Sequence, residues 1–169
     1  MTYEFGALNT GFVEIKAQEL AISHVLSSKK PKPIPLLIAL PKIPNWIENA
    51  KKSFNTADIN TAKVAEWIFD NSYVLERSLQ KIKIDMPDDY YKLLPSTQSR
   101  KGHNNLPRAY HIASGLLAAD GIQIAMPILV NFIQAYQKES PLDIAELWAL
   151  PTLLRLACIE LVMASVVFS

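Results

Sequence analysis

Apolar residues recur at helical spacing along most of the chain, and the longest unbroken pattern runs from Ala62 to Pro95. Val64, Ile68, Leu75, Leu79, Ile82 and Met86 follow at steps of three, four or seven, the stripe of an amphipathic helix. Asn60 or Thr61 is placed to cap its start, and Pro87 stops it, because the residue before a proline is pushed out of helical geometry. Pro87 suits the first turn of a second, short helix, with Asp85 as N-cap and Asp88 as its partner; Pro95 closes that segment.

Upstream, Asn9 or Thr10 can cap a first helix reaching Ser27, with Phe12, Ile15, Glu19, Ile22 and Leu26 at helical steps. Lys29–Pro44 breaks the pattern. Pro31, Pro33, Pro35, Pro41 and Pro44 forbid a continuous helix, and Leu36–Leu40 reads as an extended strap whose apolar run needs a cover. Pro44 then starts a helix over Asn45–Phe54. Ser96–Asn105 is polar and contains Gly, which predicts a mobile loop. Pro107 opens a further helix with Tyr110, Ala113, Leu116 and Leu117 inward, ended by Asp120-Gly121. Another begins at Pro127, with Val130, Ile133 and Tyr136 facing the core, and stops at Ser140-Pro141. Asp143 and Glu146, three apart, form a capping box for a last helix from Ile144 towards Ser169, which Pro151 can kink. The expected fold is all-α: one domain over residues 1–169, with a first helix at 1–27, a Pro-rich extended strap at 28–44 and a helical core at 45–169. It holds about six or seven packed helices joined by short loops.

Composition narrows the function classes. A chain of 169 residues, 50 % hydrophobic and 20 % charged, can bury a real core and is not disordered. A net charge of +1 argues against nucleic-acid binding, which brings a basic excess. Cys158 is the sole cysteine, so neither a disulfide framework nor a thiolate metal site arises. Met1–Thr10 is not a secretory signal. Leu147–Phe168 is long and apolar, but Pro151, Arg155 and Glu160 interrupt it, and charges at mid-bilayer are costly, so it reads as a buried helix of a soluble unit. The helical pattern is still running at Ser169, without cap or Gly, which reads as a fragment of a longer protein.

Few residues offer chemistry. Glu66 and Asp70 share one side of the main helix, but glycoside cleavage needs carboxylates on opposite sides of a bond, so a solvated face or an ion pair is favoured. Glu76, Arg77, Arg155 and Glu160 lie in or beside apolar stretches and predict cross-helix ion pairs, among them Arg155 with a carboxylate of the main helix; an anion-binding role is the weaker reading. His24, His103 and His111 lack metal-ligand spacing and read as surface or interface residues. Cys158 reads as a buried, inert thiol. Trp67, Trp148, Tyr90, Tyr91, Tyr110 and Tyr136 could stack on a sugar, though aromatic residues at helical spacing are more often core. Lys29, Lys30 and Lys32 read as a solvated cluster, with anionic lipid as the lesser alternative. No phosphate-cradling Gly loop occurs, and no catalytic, cofactor or metal site is expected.

Two blocks carry a family resemblance. AEWIFDNSYVLERSL with D, P, YY and LP following, from Ala65 to Pro95, resembles the N-terminal region of bacterial cyclic β-1,2-glucan synthases. LPRAY at Leu106–Tyr110 and FIQAYQKESPLDIAELWALPTLLRLACIE at Phe132–Glu160 agree with the same family, in the same order. The matching letters include Trp67, Asp70, Asn71, Glu76, Arg77, Tyr90, Tyr91, Glu146, Trp148, Pro151 and Arg155, whereas Met1–Asn60 finds no counterpart. The resemblance implies a place within a very long inner-membrane enzyme that uses UDP-glucose, with the transferase, membrane spans and a phosphorylase-like region downstream. The chain would then be a cytosolic helical module, without catalysis of its own, that packs on or regulates the transferase part. Its partners would be the downstream domains of the same polypeptide, with no nucleic acid or metal; a homo-oligomer is allowed. The alternatives are a free-standing helical interaction module and, less favoured, a small independent enzyme.

Overall fold

The computed structural model describes residues 10–45, 48–49, 59–98, 105–119 and 125–167. Its main elements are helical, as the periodicity requires. They are α1 (Thr10–Ser23), β1 (Val25–Ser27), α2 (Pro35–Ala39), a 3-10 turn at Leu40–Lys42, and α3 (Ile59–Asp85). There follow α4 (Asp88–Tyr91), β2 (Ser96–Gln98), β3 (Leu106–Pro107), α5 (Arg108–Ala119), α6 (Met126–Glu139) and α7 (Ile144–Val167). Residues 43–45 and 48–49 are helical, where the sequence predicts the helix Asn45–Phe54, but most of that segment, with Phe54, lies outside the described residues. His103 and Asp120-Gly121 also lie outside them.

The main packing runs α1 on α6 and α5, and α7 on α5 and α3. One cluster joins the buried side chains of these helices, with Phe132, Tyr136, Ile82, Ile112, Leu153 and Leu156 among its fully enclosed members. On α3, Leu75, Leu79, Ile82 and Met86 face inward as the stripe predicts; the side chains of Val64 and Ile68 lie outside the described set. Asn60 and Thr61 fall within α3 rather than capping it. Asp85 is the last residue of α3 and caps nothing beyond it: α4 has extended Pro87 at its N-cap and no side-chain cap.

α1 departs from its predicted face. Val13, Ala17 and Ala21 are buried, and Phe12, Ile15, Ile22 and Leu26 are exposed. Small alanines let neighbouring backbones approach closely, and on α5 Gly115 leaves room for Leu20. A Cβ on Gly115 of α5 would stand 2.6 Å from a methyl of Leu20. Packing density at the contact, not side-chain size alone, chose the face. The helix also ends four residues early. The Ser23 hydroxyl closes on the Leu20 carbonyl (2.7 Å), His24 N–H on that of Ala21 (3.2 Å), and Val25–Ser27 leaves to pair with β2.

That pairing adds a small antiparallel sheet in the order β1-β2-β3, with Val25 opposite Gln98 and Thr97 opposite Leu106. The predicted mobile loop Ser96–Asn105 therefore begins as a strand, and its last residue is a junction. Asn105 is buried with φ 67°, the left-handed region that Asn tolerates better than most side chains. Its N–H bonds the Thr97 carbonyl (2.8 Å), its Oδ1 accepts from Ser27 Oγ (2.9 Å), and its carbonyl accepts from Lys32 N–H (2.6 Å). Pro107 ends β3 rather than opening the helix, which starts at Arg108.

The strap is extended only through its first prolines. Ser96 Oγ donates to the Lys29 carbonyl (2.7 Å) and the Tyr91 hydroxyl to that of Lys32 (2.5 Å), fastening it to β2 and α4. Pro35 then starts a helix where an extended run was predicted. Its fixed φ suits a first helical position, the next four residues keep their N–H groups, and Leu36 gains burial beside Ile34. On α6, Pro127 lies in the first turn as expected, and Ile128, Phe132, Ala135 and Tyr136 are buried. Val130 is exposed instead, since the stripe 128–132–135–136 turns it outward. On α5, Ala113, Leu116 and Leu117 are inward and Tyr110 is half-buried.

Asn105 supports a test of the junction. Asn105→Ala loses the Ser27 bond and puts a Cβ-bearing residue without a polar side chain at positive φ, for a cost of about 2 kcal/mol in urea unfolding. Asn105→Gly keeps the backbone geometry and costs less than Asn105→Ala; the reverse order would show that strain plays no part.

Candidate functional site

The strongest polar construction in the described structure is buried. Arg108 opens α5 and Glu146 sits in the first turn of α7, with 3 % and 0 % of their surfaces exposed. Arg108 Nε donates to Glu146 Oε1 (2.6 Å) and Nη2 to Oε2, a two-point pair. The rest of the guanidinium is engaged as well, Nη1 by Ser140 Oγ (2.8 Å) and Nη2 by the Pro141 carbonyl (3.0 Å). Glu146 is also half of the predicted capping box: its Oε2 accepts from Asp143 N–H (3.1 Å), and Asp143 Oδ1 accepts from Glu146 N–H (2.8 Å). A cation at the start of α5 opposes that helix's dipole, whereas a carboxylate at the start of α7 is favoured by its own. Burial disfavours the charged guanidinium, but the Glu146 bond and charge outweigh it and hold the Arg108 pKa above its ordinary value.

Beside this pair, His24 at the end of α1 shares a 2.7 Å hydrogen bond between Nδ1 and the Tyr136 hydroxyl of α6. The His24 ring stands 5.6 Å from that of His111. Read from the sequence as surface or interface residues, both are half-buried, His24 just after α1 and His111 on α5. Burial, then the neighbouring His111 and Arg108, drives the His24 pKa from 6.5 down to about 4. Burial pushes the Tyr136 hydroxyl up to about 12. Neutral His24 and neutral Tyr136 thus form a structural joint, and Glu146, fully enclosed, offers no edge to a substrate.

The other sequence-selected residues scatter. Glu66, Trp67, Asp70, Glu76 and Arg77 are exposed on α3, so the last two are not buried charges. Arg155 Nη1 of α7 lies 3.8 Å from Asp85 Oδ2 of α3. Glu160 accepts from the Tyr110 hydroxyl (2.7 Å), an uncharged donor rather than the expected cation, and burial holds its carboxyl above the usual range. Tyr90 donates to the Ala145 carbonyl (2.6 Å) and Tyr91 is buried on the strap, while Trp67 and Trp148 remain exposed. Cys158 is half-buried, and burial raises its thiol pKa. Among the described residues no three His, Cys, Asp or Glu side chains are grouped to hold a metal ion.

Among the described residues, an open groove of about 590 Å³ lies beside α3, reached by Arg155 of α7. Tyr73, Val74 and Ile84 supply apolar surface, and Arg77, Lys81 and Arg155 supply charge. Arg108 was not singled out from sequence, although it lies inside LPRAY; a lone Arg just after Pro, at the start of an apolar helix, was the available signal. By length and composition alone, Ile144–Ala164 could also cross a membrane. In the structure its Ala149, Leu153, Leu156 and Ala157 are buried in the core.

No protein-family profile matches this chain. The cyclic beta-(1,2)-glucan synthase NdvB of Rhizobium meliloti (strain 1021) is 33 % identical over 104 residues, which are 62 % of this chain and 4 % of that protein. The chain is therefore similar to a small part of a much longer synthase.

Two outcomes follow from the buried pair and the histidine. Glu146→Gln strands a buried guanidinium and should cost about 3–5 kcal/mol in guanidinium-chloride unfolding, whereas the apolar double variant R108M/E146L should lose clearly less. Equal losses would mean that the uncompensated charge is not the cause. His24 is depressed in the folded state, so the unfolded chain binds more protons between pH 6.5 and about 4, and the stability His24 contributes falls as pH drops through that window. His24→Gln removes this part of the slope, and identical pH profiles for both proteins would refute it; Glu160, raised by burial, acts in the opposite sense in both.

Proposed function

We propose that the chain is a helical module, without catalysis of its own, of a larger polypeptide similar to cyclic β-1,2-glucan synthases. It packs on the glucosyl-transferring part, positioning or regulating it, on the cytosolic side of the inner membrane. The observation that carries this reading is the 33 % identity to the synthase over 104 residues. The state of the charged groups supports the non-catalytic role: Arg108 and Glu146 hold two helix starts together, and Glu160 is bonded by Tyr110. The exposed groove beside α3 supplies a surface for a neighbour. The same exposed surface also suits a free-standing interaction module, the second reading, and a reading frame that closes soon after Ser169 would select it.

The test is an assay of glucose incorporation from UDP-glucose. The isolated chain should transfer none, and removing this region from the parent polypeptide should lower glucan output at equal protein level. Turnover by the isolated chain would overturn the non-catalytic reading, and undiminished output after removal would overturn the positioning role.

A further inference from the structure

The groove beside α3 combines features that specify an occupant. Tyr73, Arg77, Lys81 and Ile84 recur at helical steps along about three turns, or about 16 Å, of one face of α3. Tyr73 and Ile84 are 69 % and 72 % exposed, large apolar side chains left in water on a helix whose Leu75, Leu79 and Ile82 are buried. Charge is in excess there. Asp85 is the only carboxylate in ion-pair reach of these cations among the described residues, and it serves two of them, Lys81 at 3.0 Å and Arg155 at 3.8 Å. Arg155 Nη1 is buried yet donates no hydrogen bond, since 3.8 Å is beyond hydrogen-bond reach. Arg77 has no ion pair among the described residues.

We propose that this groove docks an amphipathic helix bearing carboxylates. Its apolar side chains would cover Tyr73, Val74 and Ile84, and carboxylates one turn apart would meet Arg77 and Lys81, which are themselves four residues apart. One more carboxylate would supply the acceptor that Arg155 lacks. Apolar side chains stand at both ends of the face, Tyr73 and Val74 at one and Ile84 at the other, with Arg77 and Lys81 between them, which fits a helix that carries apolar residues on either side of its carboxylates. A lipid headgroup would instead favour cations gathered at one end. The inference deepens the module reading by giving the partner's chemistry, and rests on that reading only for where the partner resides.

The experiment titrates the chain with a 15-residue model helix carrying a Leu stripe at a and d spacing and Glu pairs at i and i+4, followed by NMR shifts. The same peptide with Gln or Lys for Glu, and phosphatidylglycerol vesicles, serve as comparisons. The Glu peptide should move the resonances of Tyr73, Ile84 and Arg155. The Gln peptide, or the R77Q/K81Q chain, should bind about ten-fold more weakly, as expected for two partly screened ion pairs. Ile84→Asp should weaken binding of every peptide, and R77E/K81E should prefer the Lys peptide. No binding at millimolar Glu peptide, equal binding by the charge variants, or Arg77-dependent binding to vesicles in place of peptide would overturn the proposal. Each of these outcomes is independent of the glucose-incorporation assay, so the docking site can fail while the module reading stands.

Discussion

The arrangement of the helices depends on a buried charge. Arg108 begins α5 and Glu146 begins α7, and the two-point pair between them fixes the relation of two helix starts that are 38 residues apart in sequence. The pair does not act alone. Ser140 and Pro141 draw the connection between α6 and α7 onto the guanidinium, and Asp143 completes the cap of α7. Each guanidinium nitrogen of Arg108 and both carboxylate oxygens of Glu146 thereby have a partner, the condition under which a buried ion pair is tolerable. An apolar substitute could match its stability, but would lack its demand for one geometry.

Around that centre the fold is fastened by side chain to backbone bonds. Tyr90 reaches the Ala145 carbonyl, Tyr91 and Ser96 hold the strap, and Asn105 binds strap and sheet together. These bonds recruit a Pro-rich segment that cannot form a long helix and cannot supply many N–H groups of its own. The result is a helical body with a small sheet at one edge. Among the described residues, the groove beside α3 is an accessible feature with both charge and apolar surface.

How much was legible varies by residue. The Leu75–Met86 stripe, the capping box at Asp143 and Glu146, and the turn at Pro127 could be read directly, because each is local: periodicity, a three-residue spacing, a missing N–H. The face of α1 could not. Val13, Ala17 and Ala21 are less hydrophobic than Phe12, Ile15 and Ile22, and only the packing of α1 against α6 and α5 makes the small face the buried one. The strand at Ser96–Gln98 escaped for a similar reason, since a polar run gains strand character only when β1 and β3 lie on either side of it.

The candidate site divides the same way. By itself the sequence determined that the chain is helical, that it can enclose a core, and that it resembles part of a synthase. Those are consequences of composition, periodicity and matched residues, all readable along one dimension. Only the tertiary structure decided which charges are enclosed and which are open: that Arg108 meets Glu146, that His24 meets Tyr136, that Glu160 takes a phenol, and that Arg77, Lys81 and Arg155 share one groove. Whether a charge must be paired or is free to bind depends on how much water remains beside it, and that is set by which helices pack together.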